Sequence, residues 1–208
     1  MEINFKAFIF DMDGTLVDSF LDFDSMREEL NFPKGVPLLE YIESMGERIT
    51  QEQRKRYFDI IHKHELEGAQ KSVLMDGCRE FLDFLKRRGI FTAVLTRNSL
   101  PVTELTFERN NISFDMVLTR DCIKNQKPDP EGLYLICDRL KVSPKECAYM
   151  GDFLFDLEAA KNAGMRAVLY SPENNLTLEK EADYIVRSYP MLQKNFEAKF
   201  LRDLNFLA

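Results

Sequence analysis

Phe5-Lys6-Ala7-Phe8-Ile9-Phe10-Asp11-Met12-Asp13-Gly14-Thr15 is the stretch on which the reading of this chain turns. Its first six residues form a short apolar run of strand length, closed by an acidic turn that contains a glycine. Downstream the texture changes. From Asp18 to about Gly68 the chain is charged and helix-like, with Tyr57, Phe58, Ile60, Ile61 and Leu66 set among Lys, Arg, Glu and His and no convincing strand. Pro33, Gly35 and Pro37 punctuate this stretch, which predicts two or three helices with a loop at about 32–37.

Beyond Asp76 the pattern alternates. Gly77 to Arg88 reads as a helix with Cys78, Phe81, Leu82 and Leu85 on one face and Gly89 as its stop. Strands are predicted at Ile90–Leu95, Met116–Leu118, Cys147–Met150, Ala167–Tyr170 and Tyr184–Val186, and helices at Pro101–Arg109, Glu131–Leu140 and Phe155–Ala163. Strands alternating with helices imply right-handed crossovers and a parallel sheet covered on both faces. The expected fold class is therefore α/β: a doubly wound, Rossmann-like parallel-sheet core of residues 1–16 and 76–208, with a small helical cap at 17–75 inserted after the first strand. An insert at that point overhangs the C-terminal edge of the sheet, which is where open parallel sheets bind ligands.

Four segments carry chemistry, and each follows a predicted strand. They are Asp11-Met12-Asp13-Gly14-Thr15, Thr96-Arg97-Asn98, Lys127-Pro128-Asp129-Pro130 and Gly151-Asp152-Phe153-Leu154-Phe155-Asp156. Acids, a hydroxyl and a lysine thus converge on one rim. In order and placement, these segments resemble the four motifs of the haloacid-dehalogenase superfamily: Asp-x-Asp-Gly-Thr, a Thr or Ser after the next core strand, a Lys, and Gly-Asp-x-x-x-Asp. The resemblance is to helical-cap (subfamily I) phosphatases, with phosphoglycolate phosphatase and β-phosphoglucomutase as types.

Elementary chemistry reaches the same rim. Phosphate monoesters hydrolyse extremely slowly unaided, and catalysing their transfer is mostly positioning and charge neutralisation. A carboxylate nucleophile splits the reaction through an acyl phosphate, and Asp11 is the candidate. A second carboxylate two residues on, Asp13, would protonate the leaving oxygen and then deprotonate the attacking water. Gathering Asp11, Asp152 and Asp156 near a phosphate calls for a cation, and Mg²⁺ suits an oxygen donor set. The resemblance implies Asp11, the backbone carbonyl of Asp13 and Asp152 as metal ligands, with Asp156 in the outer shell. It also implies that Lys127 and the Thr96 hydroxyl neutralise phosphoryl oxygens, with backbone N–H groups near Gly14 and Arg97 as further donors and Arg97 and Asn98 beside the phosphate.

Bulk properties bound the rest. Lys and Arg total 28 against 35 acids, a formal charge of −7. That balance argues against a nucleic-acid surface, which needs clustered cations, and obliges any site for an anionic substrate to supply local positive charge. Cys78, Cys122, Cys137 and Cys147 form no CxxC pair, as expected of reduced thiols in a cytoplasmic protein. No run of about 18 apolar residues is present, so no membrane span is expected. His62 and His64 stand two apart, which puts them on different faces of a helix and argues against a shared ion.

The chain departs from the family pattern at Gln126, where glycine is frequent, and at Phe153, where a small hydroxyl residue is common. Neither change removes a reacting group; both reshape the pocket. The expectation is a Mg²⁺-dependent phosphatase acting on a small phosphorylated metabolite. A phosphomutase of the β-phosphoglucomutase type shares every core residue. A phosphate-responsive signalling domain of the receiver kind carries its nucleophile after the third strand, whereas here the first strand bears it. Oligomeric state is not legible.

Overall fold

The computed structural model describes residues 5–173, 175–196 and 200. The chain begins with β1 (Ala7–Phe10) and β2 (Val17–Asp18), then the helices α1 (Phe23–Leu30), α2 (Leu38–Met45) and α3 (Gln51–Lys71), and returns through β3 (Val73–Leu74). It continues as α4 (Cys78–Arg87), β4 (Phe91–Leu95), α5 (Leu100–Asn110), β5 (Met116–Leu118), α6 (Glu131–Leu140) and β6 (Cys147–Gly151). The last elements are α7 (Leu154–Ala163), β7 (Arg166–Tyr170), α8 (Leu176–Glu179), β8 (Tyr184–Val186) and α9 (Tyr189–Phe196).

Six strands form one parallel sheet in the order β5-β4-β1-β6-β7-β8. Ala7 of β1 lies opposite Phe91 on one side and Cys147 on the other, so β1 is central and both neighbours run with it. Alternation along β1 sends Phe8 and Phe10 to one face, where they pack with Phe81, Tyr189 and Phe196. Ala7 and Ile9 enter the opposite layer with Leu95, Leu133, Ile136 and Leu157. Both faces are therefore covered by helices, the condition under which a parallel sheet is stable. Truncating a ring as buried as Phe8 or Phe81, both at 0% exposure, would cost about 3–5 kcal/mol.

Every strand and helix predicted from the sequence is present, with ends that agree within two residues. The short ribbon made by β2 and β3, which pair antiparallel, is an addition; two residues per strand leave no periodicity to read. So are α8 and α9. The ribbon matters because the chain both enters and leaves the helical segment through it.

That segment has an apolar centre of its own, built from Met26, Leu30, Phe32, Leu38, Ile42 and Ile61. Asp22 caps α1 by accepting from the Asp24 and Ser25 N–H groups. Thr50 and Gln53 form a reciprocal capping box at the start of α3. Gly68 lets α3 lie close against the incoming chain: a Cβ there would press on the Ser19 carbonyl at 2.9 Å and on Leu21. No helix among the described residues is long and apolar enough to cross a membrane.

Candidate active site

Strand order builds the site. β1 sits between β4 and β6, so Asp11 emerges at the sheet edge between the segments carrying Thr96 and Asp152. The Asp11 N–H donates to the Met150 carbonyl at 2.7 Å, which fixes the first motif to the end of β6. The chain then turns tightly, with the Gly14 N–H on the Val17 carbonyl (2.8 Å) and the Leu16 N–H on the Met12 carbonyl (2.8 Å). Gly14 has φ +71°, and a Cβ at that position would fall on the Asp152 carboxylate. A glycine is thus required both by the turn and by the approach of the two acidic segments.

Lys127 arrives from the loop after β5 and is buried. Its Nζ donates to Asp11 Oδ1 at 2.7 Å and to Asp156 Oδ1 at 2.6 Å. Asp156 is held from two further sides: the Tyr149 hydroxyl lies 3.0 Å from Oδ1, and the Phe153 N–H donates to Oδ2 at 3.1 Å. Asp11, Asp152 and Asp156 each offer an oxygen within 4.8 Å of the others. The Asp13 carboxylate stands outside this trio. Its Oδ1 accepts from the Ser19 hydroxyl at 2.5 Å and its Oδ2 from the Asn98 side-chain amide.

Thr96 is buried, and its Oγ1 accepts from the Asn98 N–H at 3.1 Å. A hydroxyl that accepts in this way keeps its own proton to donate. Arg97 is turned toward the insert, its Nη2 donating to Glu40 Oε1 at 2.6 Å and its guanidinium lying 5.4 Å over the Phe155 ring. The structure therefore brings together Asp11, Asp13, Gly14, Thr96, Asn98, Lys127, Asp152 and Asp156. Of these, the Asn98 side chain serves Asp13; the Arg97 side chain is not among them and serves a contact with the insert.

Burial dominates the electrostatics. It pushes the Asp11 carboxyl up to about 7, against the downward pull of Lys127 and with the help of Asp156. Asp152 is raised well above the ordinary range, by burial first and then by Asp11 and Asp156. Burial also raises Asp13, although the bonds from Ser19 and Asn98 oppose it. For Lys127 burial acts downward, but Asp11 and Asp156 outweigh it and hold the ammonium above its usual value. Three crowded carboxylates facing one ammonium leave an excess of negative charge, and an all-oxygen donor set suits a hard divalent cation.

Sequence reasoning missed Ser19, Tyr149 and two bridges between the insert and the core. One bridge is Arg97 to Glu40. The other is a two-pronged pair in which Arg120 Nη1 and Nη2 meet Glu65 Oε1 and Oε2 at 2.6 and 2.9 Å. Burial raises the Glu65 carboxyl to about 7 in spite of Arg120, with Asp13 and Asp121 adding to the rise. Only Tyr149 carried a signal, a polar-tipped ring inside a strand bound for the core. The two histidines face different partners: His62 Nδ1 lies 3.2 Å from the Ser99 hydroxyl, and His64 Nε2 lies 2.7 Å from Glu29.

Residues 20–170 match the family model described as haloacid dehalogenase-like hydrolase, a range that begins beyond Asp11 and Asp13. Among curated proteins, the chain is 28% identical over 96% of its length, and 86% of the relative's, to a haloacid dehalogenase-like hydrolase domain-containing protein of Arabidopsis thaliana. It is 29% identical to an N-acetylmuramic acid 6-phosphate phosphatase of Pseudomonas putida, covering 82% of this chain and 86% of that one. Among solved structures, a β-phosphoglucomutase of Clostridium difficile superposes with a TM-score of 0.78 at 21% identity, over 94% and 96% of the two chains. At that identity the likeness is one of fold.

Proposed function

The chain belongs to the haloacid dehalogenase-like hydrolase family, and from that premise we propose that it is a phosphatase that hydrolyses a small-molecule phosphate monoester through a phosphorylated Asp11. The observation that carries the reading is the division of the first motif. Asp11 is tied to Lys127, while Asp13, two residues on, is held separately by Ser19 and Asn98. Two carboxylates in different environments can act as nucleophile and as proton carrier.

In this reading Asp11 attacks phosphorus and the bond to the ester oxygen breaks. Asp13, whose carboxyl burial keeps above its ordinary range, gives its proton to the departing alkoxide. Water then attacks the aspartyl phosphate, Asp13 takes a proton from it, and phosphate leaves. Lys127 and the Thr96 hydroxyl lie where they can face phosphoryl oxygens, and the backbone N–H groups near Gly14 and Arg97 are further donors. Mg²⁺ would be held by Asp11, Asp152 and the Asp13 carbonyl, with Asp156 beside it, and would neutralise charge on the phosphoryl group. Residues 17–75 act as the cap over a core of 1–16 and 76–208. Several matched relatives are named as phosphatases, including the muramic acid phosphate enzyme, which supports the assignment. The four cysteines are free thiols, in keeping with a cytoplasmic setting.

Phosphate release from a panel of aryl and metabolite phosphates, with and without Mg²⁺, tests the proposal. Mg²⁺-dependent release that Asp11→Asn lowers by at least about a thousandfold is expected, with an unchanged circular dichroism spectrum. Wild-type turnover in that variant would remove Asp11 as nucleophile. Phosphate passed to a sugar hydroxyl faster than to water would turn the reading into the phosphomutase one.

A further inference from the structure

A cavity of about 490 Å³ runs from the acid–lysine cluster toward the helical insert. Its outer walls are Phe20, Leu21, Phe23 and Leu39 from the insert and Phe153 and Phe155 from the core. Phe20 and Phe153 stay 60% and 51% exposed. Phe20 also adopts φ +52°, a left-handed backbone that costs a side-chain-bearing residue about 1–2 kcal/mol. Such strain persists where the surroundings or the function require it. Here it sets an aromatic ring among the residues that line the cavity.

The charges along these walls are already matched. Lys127 is held by Asp11 and Asp156, Arg97 by Glu40, and Arg27 by Asp24 and the Val36 carbonyl. Among the described lining residues no other cation is present, and Glu40 and Glu65 are taken up by Arg97 and Arg120. A leaving group with its own carboxylate would therefore find no unpaired cation among these lining residues. The polar lining groups Asp18, Ser19 and Glu65 each already hold a partner within the chain.

We infer that the leaving group of the substrate is a flat, largely apolar ring packed on these phenylalanines. The ester chemistry rests on the phosphatase reading above, while the ring site stands on the cavity walls. Four esters of primary alcohols test it: benzyl phosphate, methylbenzyl phosphate, phosphoglycolate and glycerol phosphate, each with Mg²⁺. The ring esters should exceed the other two by about tenfold or more in kcat/KM. Phe153→Ala should erase most of the ring advantage through KM. Phosphoglycolate or glycerol phosphate turned over as well as the ring esters would overturn the inference while leaving the phosphatase reading intact. Should none of the four be hydrolysed, titration calorimetry with the same compounds decides. Ring esters bound about tenfold more tightly than phosphoglycolate would keep the ring site and sink the phosphatase, whereas equal or absent binding would sink the ring site.

Discussion

The two ends of the cavity are built on opposite plans. At the sheet edge, charges converge on the space where a substrate would sit: Lys127 spans Asp11 and Asp156, and Asp152 faces the same point. At the insert end, charges are turned onto one another: Arg97 meets Glu40, and Arg120 meets Glu65. The first arrangement tolerates electrostatic excess in order to act on a ligand. The second spends its charge on holding the insert against the core. Substitutions should therefore separate cleanly, with turnover lost at one end and stability at the other.

The largest effect is expected at the sheet edge. Lys127→Met should lower turnover by about a thousandfold while the chain stays folded, as read by phosphate release beside circular dichroism; a loss of less than tenfold would end the claim that this lysine faces the phosphoryl group. At the other end, Arg120→Ala leaves Glu65 buried and uncompensated. It should cost about 3–5 kcal/mol in urea denaturation, and a cost below 1 kcal/mol would mean that the bridge does not hold the insert.

Glu65 sharpens the contrast through pH. Its carboxyl is raised from 4.5 to about 7, so between those values the folded chain binds more proton than the unfolded one. Stability from this group is therefore greatest below 4.5 and falls as pH rises through 7, by up to about 3 kcal/mol. Arg120, Asp13 and Asp121 are the charged groups acting on it. Glu65→Gln should flatten that part of the stability curve, and an unchanged slope would assign it to other acids. The smallest effect expected is at Ser19, where alanine removes one bond to Asp13. It should cost about 1 kcal/mol or a severalfold loss of turnover, and no change in either would leave Asn98 as the sole holder of Asp13.

The same contrast governs what the sequence makes legible. The sheet edge was readable because each of its residues follows a strand, and strand runs such as Phe5–Phe10 and Cys147–Met150 announce their own ends. Once the strands alternate with helices, topology alone places Asp11 beside Thr96 and Asp152. The insert end has no such rule. Glu40 and Glu65 lie on helices with acids on several faces, and nothing in their spacing tells which one meets an arginine 57 or 55 positions away. Arg97 illustrates the limit, since its neighbourhood to Thr96 suggests phosphate whereas its side chain is taken by the insert. Tyr149 was hidden differently, as one ring among many apolar residues whose hydroxyl only a three-dimensional neighbour could explain.

The β2–β3 ribbon, finally, has a mechanical meaning. α3 contains 21 residues and is therefore about 30 Å long, and its C-terminal end is rooted at the ribbon. A swing about that root would make it a lever with its fulcrum at Val73. Glu65 sits about 9 Å along that arm, and Gln51 marks its tip. A swing of about 10° would carry the tip about 5 Å but Glu65 only about 1.5 Å. The bridge to Arg120 thus grips the arm near its pivot, where a small extension of one ion pair corresponds to a gap at the far end as wide as a small ligand.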